Sequence, residues 1–245
     1  MLNKPIVELK KLHKNYVVEA ETVKALRGVD ISIVEGEFVS IMGASGSGKS
    51  TLLNIIGCLD KPTSGSYFIG GEDIKTLDRD TLADIRNRKL GFVFQSFNLL
   101  PRTTAIENVE LPLLYNLTLS SKQRCQKAKD ALEMVGLADR MYHLSNQMSG
   151  GQQQRVAIAR SLVNDPLLIL ADEATGNLDS STSYEIMSLL QKLNEMGKTI
   201  AFVTHEADIS SFTKRRIVLH DGIVQTDKKQ AQKSAQEAAK KLREV

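Results

Sequence analysis

The sequence predicts an α/β protein in which a mainly parallel sheet carries an antiparallel β-lobe at its start and an inserted helical lobe further on. Three observations predict it. Apolar and polar residues alternate in short runs from Ile6 to about Ile41, a strand then passes through a glycine-rich loop into a helix, and two later apolar runs end in polar residues.

Taken in order, Ile6-Val7-Glu8-Leu9 and Val29-Asp30-Ile31-Ser32-Ile33 read as strands of the β-lobe, broken by Gly28 and Gly36. Phe38 to Met42 forms the strand before the loop, and Ser50 to Leu59 has the apolar content and absence of breakers of a helix. Phe97 to about Ser149 is mostly helical, with Lys122 to Val135 as one helix, and reads as the inserted lobe. Leu167 to Ala171 and Ile200 to Val203 are short and apolar, as buried strands of a parallel sheet are. Each delivers charged residues at its C-terminal end, where open α/β sheets bind ligands. Asp221-Gly222 between Arg216–His220 and Ile223–Gln225 is a two-residue hairpin signal.

Composition narrows the function classes. The chain has 245 residues, 42% hydrophobic and 25% charged, with a net charge of +3, and that balance does not single out nucleic acid as a partner. Residues 227–245 hold Lys228, Lys229, Lys233, Lys240, Lys241 and Arg243 against three acids, an excess equal to that of the whole chain. This basic, alanine-rich end reads as a solvated helix, with Ala231, Ala235, Ala238, Ala239 and Leu242 on one face. Cys58 and Cys125 form no metal-ligand or disulfide spacing, which points to a reducing compartment. Met1 to Tyr16 has no uninterrupted apolar run, and no later segment approaches the ~18–20 apolar residues of a membrane span. A membrane role therefore requires a partner.

The chemistry concentrates at Gly43-Ala44-Ser45-Gly46-Ser47-Gly48-Lys49-Ser50, which matches G-x-x-x-x-G-K-[ST] between the predicted strand and helix. Glycines let backbone N–H groups turn inward around phosphates, and the helix N-terminus through Thr51 adds its positive end. Lys49 reaches the β- and γ-phosphates of a nucleoside triphosphate, and the Ser50 hydroxyl ligates Mg²⁺. The strand ending in Asp172-Glu173 puts one carboxylate on the Mg²⁺ shell and the other beside the γ-phosphate, making Glu173 the candidate general base for the attacking water.

With these motifs the sequence resembles the ABC ATPases. Ser149-Gly150-Gly151-Gln152, preceded by Met148, is similar to the signature that separates that family from other P-loop NTPases. Gln95 in Phe92-Val93-Phe94-Gln95, Asp179 in Gly176-Asn177-Leu178-Asp179, His205 in Val203-Thr204-His205-Glu206, and Tyr16 follow the family's order over residues 5–225. The resemblance implies a RecA-like core and an ATPase domain over 1–226, with a helical subdomain at about 97–150 and a separate tail at 227–245. It implies that Tyr16 stacks on adenine, Gln95 ligates Mg²⁺ and His205 contacts the γ-phosphate. It also implies a head-to-tail homodimer, because a Ser-Gly-Gly turn at a helix start is a second phosphate cradle and Lys49 already holds the near side. Two departures stand out: Ala174 replaces the family's usual Pro, which suggests a slightly more mobile loop, and Met148 replaces Leu with little change of volume.

Gly57 to Gly65, Phe97 to Pro101 and Glu107 to Leu113 resemble the macrolide-exporter and lipoprotein-release branch. That branch implies a separate integral membrane permease, with this subunit cytoplasmic on the inner face of a bacterial membrane and a permease helix docking near Phe97 to Pro101. A soluble relative acting on ribosomes or nucleic acid shares every catalytic motif, but such relatives usually carry two fused cassettes or a long coiled-coil insertion, and neither occurs in these 245 residues. A non-hydrolysing regulator is disfavoured by intact Lys49, Glu173 and His205.

Overall fold

In the computed structural model, residues 5–18 and 21–243 are described; Met1 to Lys4, and Glu244 counted in the tail's charge, lie outside them. The chain opens with two long strands, β1 (Pro5–Val18) and β2 (Glu21–Val34), paired antiparallel. The strand β3 (Phe38–Met42) leads through the phosphate loop into α1 (Lys49–Ile56). Next come β4 (Ser64–Ile69), β5 (Glu72–Asp73), α2 (Arg79–Lys89) and β6 (Leu90–Phe94). The helical lobe holds α3 (Ala105–Glu110) and α4 (Ser121–Met134), and α5 (Gly150–Leu162) returns the chain to the sheet. Then follow β7 (Leu168–Asp172), α6 (Ser180–Glu195), β8 (Ile200–Val203) and α7 (Ala207–Ser210). The hairpin β9 (Arg215–His220) and β10 (Ile223–Lys229) precedes α8 (Ala235–Arg243).

Two sheets result, one antiparallel with order β2-β1-β4-β5 and one of order β10-β9-β3-β8-β7-β6. The second is parallel except for the terminal hairpin. Because strand side chains alternate faces, β7 sends Ile169 and Ala171 into a core shared with α5, α6 and the helical lobe, and Leu168 and Leu170 into a core shared with α1 and the β-lobe. Burial on both faces explains why this strand is apolar without a break.

Three expectations are corrected in detail. Gly28 does not break a strand: it lies within β2 at φ +87°, where the pairing jumps from Leu12↔Val29 to His13↔Arg27, so it is a bulge that bends the lobe. The helix after the loop ends at Ile56, where the Gly57 amide donates to Leu53 O at 2.7 Å and the chain turns before Leu59. The boundary placed after Thr226 falls inside β10, where Asp227 pairs with Arg215 through two hydrogen bonds of 2.7 Å.

The basic tail is correspondingly docked. Ala235 and Ala239 are buried against α6, Ala238 packs at their edge, and Gln191 clasps the approach by accepting from Ala235 N and donating to Lys233 O. Ala231 precedes the helix and is exposed, as is Leu242, so the apolar face is shorter than its sequence pattern.

Candidate functional site

The phosphate loop is shaped by contacts that exclude side chains. A Cβ on Gly43 would stand 2.3 Å from Ser47 Oγ and 2.4 Å from Leu219 O; one on Gly48, at φ +99°, would stand 2.6 Å from Ala25 O. Gly48 is also the cap of α1, and no side chain accepts the first amides of that helix. Its first turn contains no acid, so the positive end of α1 is uncompensated by its own residues. Lys49, largely buried, folds its ammonium onto Gly43 O and Ala44 O at 2.8 Å each. Ser47 Oγ is buried without a partner, and Ser50 is exposed at the helix start.

This loop floors a cavity of about 950 Å³. Ser45, Gly46, Gly48, Lys49, Ser50 and Thr51 line it from below, and Glu173 and His205 line it from the ends of β7 and β8. Parallel neighbours in the sheet bring them together: β8 lies between β3 and β7, the Glu173 amide donates to Val203 O at 3.0 Å, and the Thr204 amide donates to Ile41 O at 3.1 Å. Glu173 Oε1 lies 2.9 Å from His205 Nδ1. The Glu173 backbone is at φ +44°, a conformation non-glycine residues seldom adopt, and it turns the carboxylate out of the sheet toward the loop. Burial raises the Asp172 carboxyl above its ordinary range; the neighbouring Glu173 charge adds to this and Lys49 opposes it.

Other expected site residues lie outside the cavity lining. Gln95 Nε2 donates to Asn177 Oδ1 at 3.2 Å while Asn177 Nδ2 donates to Gln95 O at 3.1 Å, a reciprocal latch between the loops after β6 and β7. Ser149 caps α5 in a closed box: the Gln152 amide donates to Ser149 Oγ at 3.3 Å and the Ser149 amide to Gln152 Oε1 at 3.0 Å. Gly150 and Gly151 form the first turn; a Cβ at Gly151 would meet Thr182 at 2.6 Å. Asp179 caps α6, and its hydrogen bonds from Thr182 hold its carboxyl below the ordinary range. Tyr16 stands beside the cavity: its cross-strand partner Val23 lines the wall, and paired residues project from the same face of a sheet.

Ala174 is buried and its carbonyl accepts from Gln154 Nε2 at 2.6 Å, so the loop is held by hydrogen bonding where the family's ring would stiffen it. Met148 is buried in the helical-lobe core, as a near-volume replacement for Leu can be.

Motif reading missed the upper wall of the cavity. Thr22, Val23, Lys24, Ala25 and Arg27 of β2, with Asp221 and Gly222 of the last hairpin, complete it. The Gly222 amide donates to Ser47 O at 3.0 Å and the Arg27 amide to Gly222 O at 2.8 Å, so the hairpin signal visible in the sequence also braces the phosphate loop. A second groove of about 710 Å³ lies between α2, β6 and the helical lobe, with Leu59, Phe92, Phe94, Leu111 and Tyr115 in its lining. Arg160 enters its wall and donates to the carbonyls of Phe97 at 2.9 Å and Asn98 at 2.6 Å, two residues in left-handed conformation.

Comparison with known proteins bears on the family and the fold. Residues 26–176 match the family model described as ABC transporter. An uncharacterized ABC transporter ATP-binding protein of Thermotoga maritima is 54% identical over 91% of this chain and 94% of its own length. The macrolide export ATP-binding/permease protein MacB of Chlorobaculum tepidum is 53% identical over 91% of this chain, which spans only 34% of that larger relative. Among solved structures, the dimeric post-hydrolysis state of the ATP-binding cassette MJ0796, bound to ADP and Pi, superposes with a TM-score of 0.82 at 52% identity, covering 91% of this chain and 98% of that one.

Proposed function

Because the chain belongs to the ABC transporter ATP-binding family, we propose that it is the ATP-hydrolysing subunit that drives a separate permease of the macrolide-exporter type, working as a homodimer that closes head to tail on two ATP molecules. The observation that carries this reading is the pairing of Glu173 with His205 across one cavity from Lys49, while the Ser149 turn stands outside that cavity. One chain supplies the base and the near cradle; the far cradle comes from a second copy.

ATP binds with its triphosphate on the amides from Gly43 to Thr51. Lys49 exchanges the carbonyls of Gly43 and Ala44 for β- and γ-phosphate oxygens, trading two neutral acceptors for charged ones. Glu173 takes a proton from water as the water oxygen bonds to the γ-phosphorus and the bond to the ADP oxygen breaks. His205 holds the Glu173 carboxylate through Nδ1 and faces the γ-phosphate. Ser149, Gly150 and Gly151 of the partner copy cover the γ-phosphate with the start of α5, and Asp179 lies on the adjoining helix cap.

The residues fit Mg²⁺. Burial and the neighbouring Glu173 charge both disfavour the ionised form of Asp172, which Lys49 only partly offsets, so a divalent cation at this point would relieve a repulsion already built in. Ser50, Asp172 and Gln95 would hold it, Gln95 after release from Asn177. When bound, the ion would supply neutralisation of the triphosphate's charge.

Among the described residues no helix is long and apolar enough to cross a membrane. The subunit sits peripherally on the cytoplasmic face, with a permease segment in the groove beside Phe97 to Pro101. Leu100 and Tyr115 are exposed at that edge, and Arg160 connects it to the Ser149 helix. Leu100→Asp in the assembled transporter should cut transport while leaving the isolated subunit's hydrolysis intact; unchanged transport rejects this docking site. For the whole reading, Glu173→Gln should bind ATP, trap a dimer visible by size-exclusion chromatography and lose turnover. Continued hydrolysis by that variant removes Glu173 as the base.

A further inference from the structure

Tyr16, which the family resemblance assigns to stacking on the adenine of ATP, is held from two sides by residues that no motif singled out. Its hydroxyl donates to Asp60 Oδ2 at 2.9 Å. The Lys14 ammonium lies 4.7 Å from the centre of the Tyr16 ring and donates to Asp60 Oδ1 at 2.7 Å and to Lys61 O at 2.9 Å. Lys14 is only 12% exposed, so its charge occupies the protein side of the ring and leaves the opposite face for a base. Burial opposes ionisation of Asp60, but hydrogen bonds from Lys14, Tyr16 and the Lys61 amide outweigh it and hold the carboxyl below its ordinary range.

Asp60 is in turn fixed to the phosphate-loop helix. Its amide and that of Leu59 both donate to Asn54 O within α1, at 3.1 and 2.8 Å. Thr51, also on α1, lines the cavity. The ring is thereby referenced to the same helix that carries Lys49, although Tyr16 belongs to the β-lobe.

We propose that Lys14 and Asp60 are positioning residues that lock the Tyr16 ring as a preformed base platform and set its distance from the phosphate loop. This rests on the reading of Tyr16 as that platform. A ring ordered before the nucleotide arrives does not have to be frozen by it, and the entropy saved appears as affinity for the base alone. The pair should therefore affect ligands that carry a base and leave a bare triphosphate untouched.

The test uses the full chain with two probes, MgATP by calorimetry and magnesium tripolyphosphate by competition. Asp60→Ala and Tyr16→Phe should each weaken ATP binding about three- to tenfold, and the double variant should lose little more than either single one, because both remove the same bond. Lys14→Met should act in the same direction. Tripolyphosphate binding should not change in any of them. Equal losses for both probes, or wild-type ATP affinity in Asp60→Ala and Tyr16→Phe while Tyr16→Ala is impaired, overturns the positioning role. Wild-type ATP affinity in Tyr16→Ala removes the platform itself and with it the premise.

Discussion

The molecule contains two helices that begin in a glycine turn, and they are finished differently. At the start of α1, Gly48 supplies a left-handed cap without a side-chain acceptor, and the free amides open onto a cavity with Glu173 and His205 opposite. At the start of α5, Ser149 and Gln152 satisfy one another in a reciprocal box. The first terminus is incomplete until an anion arrives. The second is already a stable helix start with Gly150 and Gly151 still bare, so it can meet a phosphate delivered by another molecule without first having to fold around it.

The comparison breaks most readily at Lys49. Lys49→Met should lower hydrolysis about 10²–10³-fold, the usual cost of deleting one donor to developing charge, as measured by phosphate release. If turnover survives, the cavity over α1 is not the hydrolytic site.

The next effect tests whether the two termini serve one site in different chains. Gly151→Asp crowds Thr182 with its Cβ, distorts the turn and adds negative charge beside the γ-phosphate held by the partner, and should abolish activity almost as fully. Mixing it with Lys49→Met should restore part of the lost rate, because the mixed dimer contains one site with an intact loop from one chain and an intact turn from the other. No recovery at any ratio would show that each chain works alone.

A smaller effect separates stability from chemistry. Ser149→Ala removes the side-chain acceptor of the box and should cost about 1 kcal/mol, lowering Tm by roughly 2–4 °C by calorimetry. Single-site ATP binding to α1 should be unchanged.

The smallest concerns Asp172. Its folded carboxyl is raised above the unfolded value, so its protonated form is favoured by folding and the ionised form penalises the native state as pH rises through the folded value. Asp172→Asn should raise the nucleotide-free Tm at neutral pH by a few degrees at most (about 2–4 °C per kcal/mol), and the gain should shrink on acidification as the wild-type group protonates. A gain that persists unchanged in acid would mean that packing, not charge, is responsible.

Local chemistry was legible in the chain. A lysine after a loop of three glycines and two serines, two carboxylates ending an apolar run, and a Ser-Gly-Gly turn before a helix each describe their own few residues, because the backbone amides and side chains concerned are neighbours in sequence. The hairpin around Asp221-Gly222 was legible for the same reason.

What the chain did not disclose depends on register and distant packing. That β8 lies between β3 and β7, bringing His205 to 2.9 Å from Glu173, follows from which strands pair, and pairing depends on burial of both faces together. That Gly222 braces Ser47, that Gln95 is latched by Asn177, that Gln154 holds the Ala174 carbonyl and that the basic tail docks on α6 are all contacts between residues far apart in sequence. The sequence by itself determined which atoms can grip a phosphate or take a proton. Only the tertiary structure decided which of them share a cavity and which face outward for a second chain, because that depends on the joint packing of two cores against one sheet and not on the spacing of any single motif.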